Sequence, residues 1–365
     1  MTQDKAPHFW LRAESRANEA RTPLTPEGAA ALIAQGAQVT VEASPSRIIP
    51  NAEYSQAGCT MAPAQSWPDA PRDAVILGLK ELPPGDAPLI HRHIMFGHAF
   101  KEQPGAQSFL NRFTQGGGAL LDLEYLVDDQ GRRLVAFGYW AGFAGAAMAL
   151  HCWLAQQRGQ IAPPAQTQPS AGAMIAQLRA QLAGQAAPGA LIIGALGRTG
   201  RGAAALLSAV QSPITAWDIA ETARGGITRE ILRHEVFLNC ILAGPDTPVF
   251  LPKDTRLDAP RALRVIADIA CDPTSPYSPI PLYRQTTTWQ APALRLCAAP
   301  PLDVTAIDNL PSLLPLESSQ DFAGALLPHL QALAHGAAPQ WQRARATFDQ
   351  NAAAALGATP PATGQ

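Results

Sequence analysis

The sequence predicts an α/β fold of about two domains built on parallel sheets, and three observations carry that reading. The first is Ala190 to Gly202, ALIIGALGRTGRG, an apolar run followed by a glycine-rich turn and then AAALLSAV in helical style. The second is the alternation of short apolar runs with helical patterns from His8 to about Asp129. The third is size: 365 residues, 47% hydrophobic and 15% charged, are too many for one typical domain and can bury sizeable cores.

Along the chain, Phe9-Trp10-Leu11 reads as a first strand. Thr25-Pro26-Glu27 supplies an N-cap, a proline at the first helical position and an early acid, so a helix begins there and stops near Gly36. Gln38 to Glu42 is a second strand, Ala74 to Gly78 a third and His93 to Gly97 a fourth. The third delivers Lys80 and Glu81 at its carboxyl end and the fourth delivers His98. Ligands gather at the carboxyl ends of parallel strands, which brings Lys80 and His98 toward one edge.

Leu134 to Ala155 contains no Lys, Arg, Asp or Glu. That length raises a transmembrane helix, but the Gly/Ala softness, the internal His151 and the lack of a basic flank favour a buried helix linking two domains. Ala162 to Gly172 is a surface loop of Pro, Gln and Ser. Strands follow at Val236 to Leu242 and Arg264 to Ala270, and the chain reads as irregular from Pro281 to Ile307. Helical patterns return over Phe322 to Ala334 and Trp341 to Ala355, ahead of a frayed tail.

Gly194, Gly197 and Gly200 repeat at three-residue spacing, a variant of the G-x-G-x-x-G turn that lets backbone N–H groups approach a pyrophosphate at a helix start. Glycines alone fit a plain tight turn equally well. The next strand, Ile214 to Trp217, ends at Asp218, eighteen residues after Gly200. A carboxylate there accepts the ribose hydroxyls of NAD and repels a 2′-phosphate, so the pair of features predicts a Rossmann-type NAD site.

A net charge of -2 gives no reason to expect nucleic acid or an anionic membrane as a partner. Cys59, Cys152, Cys240, Cys271 and Cys297 are scattered, odd in number and never in C-x-x-C spacing, which argues for a reducing compartment and against structural zinc or another metal site. The first residues lack an apolar stretch of signal-peptide length, so the expected location is the cytoplasm.

Several stretches then carry a resemblance. They are Leu11-Arg12-Ala13-Glu14, Glu19 to Pro26, Gly78 to Glu81, His98 to Gln103 and Asp122-Leu123-Glu124. The run from Asp128 to Ala147, IIGALGRTG, Trp217-Asp218 and Ile307 to Pro315 continue them in order. The chain resembles saccharopine dehydrogenases of the NAD-dependent, lysine-forming type, within the broader family of alanine dehydrogenases and transhydrogenase alpha subunits. The resemblance implies two Rossmann-like domains with parallel sheets flanking a central cleft: residues 1–136 with 316–365 for substrate and catalysis, and residues 137–315 for NAD. It implies a monomer acting on saccharopine, lysine and 2-oxoglutarate.

By resemblance, Lys80 takes the proton of the substrate amine and His98 handles water during imine hydrolysis, with Glu81 and Glu124 tuning them. Arg21, Lys101, Gln103, Arg133, Phe137 and the turn of Ala270, Cys271 and Asp272 match substrate positions. Arg132, Gly194, Gly197, Arg198, Thr199, Gly200, Asp218, Arg224, Leu242, Ile269, Ile307, Asp308, Asn309 and Leu310 match cofactor positions. Fungal members carry a cysteine where Thr199 stands, able to pair with the one matching Cys240; here that disulfide cannot form. A related dehydrogenase on another carboxylated amine is the runner-up. A catalytically dead NAD-binding regulator is the alternative from another class, and the presence of both Lys80 and His98 argues against it.

Overall fold

The computed structural model describes residues 7–100, 105–336 and 338–355. The chain divides into two units, Met1–Ala136 with Ser318–Gln365, and Phe137–Glu317.

The first unit is built on six parallel strands, β1 (His8–Leu11), β2 (Gln38–Glu42), β3 (Thr60–Ala62), β4 (Val75–Leu77), β5 (Arg92–Met95) and β6 (Ala119–Asp122), in the order β3-β2-β1-β4-β5-β6. The order reverses between β1 and β4, where doubly wound sheets place their ligands. Between β1 and β2 runs α1 (Pro26–Ala34), whose first turn is closed by Thr25 accepting from the Gly28 N–H at 3.2 Å. The helices α2 (Asn51–Gln56) and α3 (Ala106–Gly116) follow β2 and β5. The sequence pattern did not predict β3 and β6, since the first is three residues long and the second follows three consecutive glycines.

In the second unit, α4 (Gly138–Gln157) and α5 (Ala171–Leu182) precede β7 (Ala190–Ile193), α6 (Arg198–Ala209), β8 (Ile214–Trp217), α7 (Ile219–Thr222), α8 (Ile227–Arg233), β9 (Val236–Asn239), β10 (Val265–Asp268), β11 (Leu294–Cys297) and β12 (Leu302–Thr305). The sheet order is β11-β12-β10-β9-β7-β8, parallel except for the edge strand β11, which pairs antiparallel to β12. Alternate residues feed two cores: Ala190 and Ile192 pack among the helices α4, α5 and α6, while Leu191 and Ile193 pack with Phe237, Ile266 and Val304. Burial on both faces is why these strands read as unbroken apolar runs.

The expectation of irregular chain from Pro281 to Ile307 is corrected by β11 and β12. Asp303 interrupts the apolar pattern of β12 and hides the strand; fully buried, it is met by the Arg295 guanidinium and by Gln156 Nε2 at 2.7 Å. The charge-free run is helical from Gly138 rather than Leu134, and among the described residues no helix is long and apolar enough to cross a membrane. The helices α9 (Pro315–Ala334) and α10 (Pro339–Ala355) return the chain to the first unit, where Phe348 meets Phe113 at 5.7 Å.

Close approach of α4 and α6 depends on glycine. A Cβ at Gly142 would lie 1.8 Å from the Thr199 carbonyl oxygen, and one at Gly202 would lie 1.8 Å from that of Tyr139. Gly202→Ala therefore lowers stability by roughly 1–3 kcal/mol, because backbone on both sides must move. Gly324→Ala, in α9 with nothing within 4 Å, raises it by about 0.5–1 kcal/mol through helix propensity. Urea unfolding of both variants checks the contrast.

His93 in β5 is fully buried, edge-on to Trp67 at 5.0 Å and to Phe113 at 5.4 Å, and neither ring nitrogen has a partner among the described residues. Burial first, then the charges of Arg12, His91 and Arg112, hold its pKa well below the usual imidazole value. An unfolded chain takes up this proton below about pH 6.5 and the folded one does not, so stability is lost as pH falls through that value, by up to about 1.4 kcal/mol per pH unit. His93→Phe removes this contribution: its stability relative to the parent improves steadily between pH 7 and 5 in denaturant titrations, and a difference independent of pH would contradict the assignment.

Candidate active site

Parallel pairing between β4 and β5 continues past the strand ends, with Gly78 N–H to Ile94 C=O at 3.0 Å and Phe96 N–H to Leu79 C=O at 3.0 Å. Lys80 follows Leu79 by one residue and His98 follows Phe96 by two, so both leave the same edge of adjacent strands. Lys80 is half-buried, and its charge acts on the carboxylate of Glu19. Burial alone would raise Glu19, but the bonds and charge of Arg21 and the charge of Lys80 outweigh it and hold the carboxyl below its ordinary value. Arg21 grips Glu19 through Nε at 2.8 Å and Nη2 at 2.6 Å, with both side chains buried. Any carboxylate of a ligand would share that guanidinium with Glu19.

His98 has φ of +48°, an unusual backbone for a residue with a Cβ, and its ring stacks on Phe96 at 6.3 Å. The imidazole is 44% exposed and Nδ1 lies 3.9 Å from Glu124 Oε2, while Glu124 Oε1 accepts from Arg133 Nη2. One carboxylate thus links a solvent-accessible imidazole to a guanidinium. Beneath them Asp122, fully buried at the end of β6, accepts from Gly97 N–H at 3.2 Å and Glu124 N–H at 2.9 Å. Burial pushes its carboxyl up to about 6. Glu81, expected to tune Lys80, is 46% exposed and lies 3.7 Å from Arg16. Lys101 and Gln103 lie outside the described residues. Arg132 belongs to the turn after β6, exposed and bonded to Asp128 at 2.8 Å.

Apart from Phe137 and Arg224, the remaining predicted residues follow the carboxyl ends of β7, β8, β9, β10 and β12 in the second unit's sheet. Gly194 adopts φ of +89°, and a Cβ there would strike Ile241 at 2.6 Å; one at Gly200 would strike the Gly194 carbonyl oxygen at 2.2 Å. These two glycines let the turn fold. Gly197 differs: a Cβ would meet only the Gly194 oxygen at 3.4 Å, and the residue caps α6 with no side chain bonded to the helix start. Space and helix N–H groups together suit a phosphate ester. Asp218 reaches back to this turn, accepting from Leu196 N–H at 2.9 Å and from Ile219 N–H at 2.9 Å.

Leu196, Ile219 and Leu242 are 78%, 81% and 82% exposed, one beyond each of β7, β8 and β9. These three large apolar side chains are left in water beyond the carboxyl ends of neighbouring strands. Thr199 stands in the first turn of α6 and Arg224 is exposed after α7. Ile269 packs against Gly145 of α4, and Ala270, Cys271 and Asp272 form the turn beyond it. Ile307 bridges to Thr287, Asp308 follows it, and Asn309 Nδ2 bonds Ser312 at 2.6 Å just before Leu310. Phe137 opens α4. Cys240 is buried and unbonded to sulfur, and no group of residues suited to a metal occurs among those described.

Glu14, Asp122, Leu196 and Ile219 carry site geometry without having been assigned roles from the sequence. A shared signal marks them, a carboxylate or large apolar residue within three positions of the end of a parallel strand or its turn.

Residues 10–144 match the family of the alanine dehydrogenase/PNT N-terminal domain. The chain is 43% identical to saccharopine dehydrogenase [NAD(+), L-lysine-forming] of Neurospora crassa over 357 residues, 94% of this chain and 96% of that one. It is 44% identical to the same-named protein of Emericella nidulans over 366 residues, 94% and 97%. An L-alanine dehydrogenase structure superposes with a TM-score of 0.65 at 15% identity, covering 93% of each chain, and transhydrogenase from Sinorhizobium meliloti with 0.60 at 15%, covering 89% and 94%. The fold is that of the two solved structures, and the chain belongs to the saccharopine dehydrogenase family of the NAD(+)-dependent, L-lysine-forming type.

Proposed function

We propose that the protein oxidises the secondary amine of saccharopine with NAD and hydrolyses the resulting imine to L-lysine and 2-oxoglutarate, reversibly. The observation that supports it most is the emergence of Lys80 and His98 from the carboxyl ends of adjacent strands, one beside Glu19 and Arg21, the other beside Glu124 and Arg133. NAD, when bound, accepts hydride from the carbon next to the amine. Gly197, the start of α6, Asp218 and the exposed apolar side chains of Leu196, Ile219 and Leu242 would hold it, and the acceptor set at Asp218 suits a ribose diol.

The amine must lose a proton before its carbon becomes electron-rich enough to release hydride, and Lys80 takes that proton at Nζ. Its neighbour Glu19 stabilises the ammonium that results. Water then attacks the imine carbon, and His98 removes the proton from water and returns it to the departing amine. Glu124 orients that ring, and Arg133 offers a fork of N–H groups for a substrate carboxylate, as Arg21 does. A polyanionic substrate suits this cluster of cations. The scattered free cysteines suit a reducing compartment, and we assign the protein to the cytoplasm as a monomer.

Purified protein mixed with lysine, 2-oxoglutarate and NADH consumes NADH faster than with a panel of other amines and oxo acids; equal rates across the panel would remove the substrate assignment. NADP supports a lower kcat/KM than NAD, because Asp218 faces its phosphate.

Lys80→Met slows saccharopine turnover by about 10²–10⁴-fold. His98→Gln also slows steady turnover, yet in rapid mixing it retains an early absorbance burst from NADH, since its step follows oxidation. Arg133→Ala chiefly raises KM for saccharopine. Near-parental rates for both Lys80→Met and His98→Gln would refute the mechanism.

A further inference from the structure

Glu14 lies just beyond β1, across the point where the strand order reverses, with a side chain only 6% exposed. Its Oε1 accepts from the Leu79 N–H at 2.7 Å and its Oε2 from the Lys80 N–H at 3.1 Å. Arg12, 2% exposed, lies 3.4 Å from Glu14 Oε2 through Nη2, and the same nitrogen donates to the Lys80 carbonyl. The Arg12 backbone N–H bonds Leu77 at 3.0 Å. Both polar groups of the Lys80 backbone are therefore held by one buried ion pair from a strand on the far side of the switch point. The sequence leaves room for it: a Cβ at Gly78 would lie 2.4 Å from Arg12 Nε.

Burying a carboxylate is costly, and here desolvation raises the Glu14 carboxyl above its ordinary value despite Arg12 and the two N–H donors. A pair of apolar side chains would join two strands at lower cost. What an ion pair adds is directional hold on two specific amides and one carbonyl.

We propose that Glu14, braced by Arg12, is a positioning residue for Lys80, setting the backbone from which the ε-amino group reaches the substrate amine. The proposal rests on Lys80 acting as the base. Glu14 works through geometry, whereas the charge of Lys80 acts on Glu19. Loss of Glu14 thus acts on the rate through the position of the Lys80 backbone.

The test uses the full chain with Glu14→Gln, which keeps the shape and one acceptor oxygen but turns an NH₂ group toward one of the two amides. Arg12→Lys is the second variant, since an ammonium lacks the guanidinium fork and cannot reach both Glu14 and the Lys80 carbonyl in the same way. In each, kcat with saccharopine falls about 10–100-fold, as expected for a displaced catalytic group. KM for NAD and the pKa of the basic limb of the pH–rate profile stay at parental values. Hydrogen exchange at the Leu79 and Lys80 amides quickens. Parental kcat with parental exchange overturns the proposal, as does a rate loss that vanishes on cooling in step with a lowered melting temperature. If the parental protein fails to turn over saccharopine, the functional reading falls on its own, while exchange at Leu79 and Lys80 still decides whether Glu14 holds that backbone. Unchanged exchange in both variants overturns it in that case too.

Discussion

A parallel strand loses its hydrogen-bonding partners at its carboxyl end, and there the backbone N–H groups must find acceptors or face water. This protein meets that constraint with carboxylates. Glu42, fully buried at the end of β2, accepts from the N–H groups of Ala13, Gln65 and Trp67 at 2.8, 2.9 and 2.6 Å. Glu14 does the same for Leu79 and Lys80, Asp122 for Gly97 and Glu124, and Asp218 for Leu196 and Ile219. The loops that carry reactive side chains are thereby fixed by groups of one sign. Cations are drawn to the same edges, the buried Arg12 and Arg47 among them, where they meet these carboxylates and nearby carbonyls.

The second unit solves a different problem at its own edge. The glycine-rich turn after β7 is shaped by missing side chains as well as by acceptors. Gly194 and Gly200 remove side chains where backbones touch, and Gly197 removes one where space is left over. The α4–α6 contact, made through Gly142 and Gly202, locks the start of α6 from behind. Glycine does three separate jobs within a few residues: positive φ, close packing and open space.

The surroundings of Lys80 and His98 differ in charge and exposure. Lys80 sits near a buried carboxylate that Arg21 already grips. His98 stays 44% exposed, with Glu124 Oε2 3.9 Å from its Nδ1. An imidazole deep in the core behaves in the opposite way: His93 serves as an aromatic filler among Trp67, His91 and Phe113.

Sequence by itself determined the elements whose cause is local. The Thr25-Pro26-Glu27 start of α1, the glycine spacing, the strand leading to Asp218 and the placement of Lys80 and His98 just after strands all follow from capping, φ preference and two-sided burial. Motifs in order along the chain also disclosed the family. What only the tertiary structure decided depends on partners far apart in the chain. β12 can bury Asp303 because Arg295 pairs with it and Gln156 donates to it, and nothing within LDVT announces them. Glu81 turns to Arg16, and Glu14 acquires its place from amides 65 and 66 residues away. Local periodicity reports which face of an element is buried; it is silent on which distant group will satisfy a buried charge, because that is settled when the strand order brings the ends together.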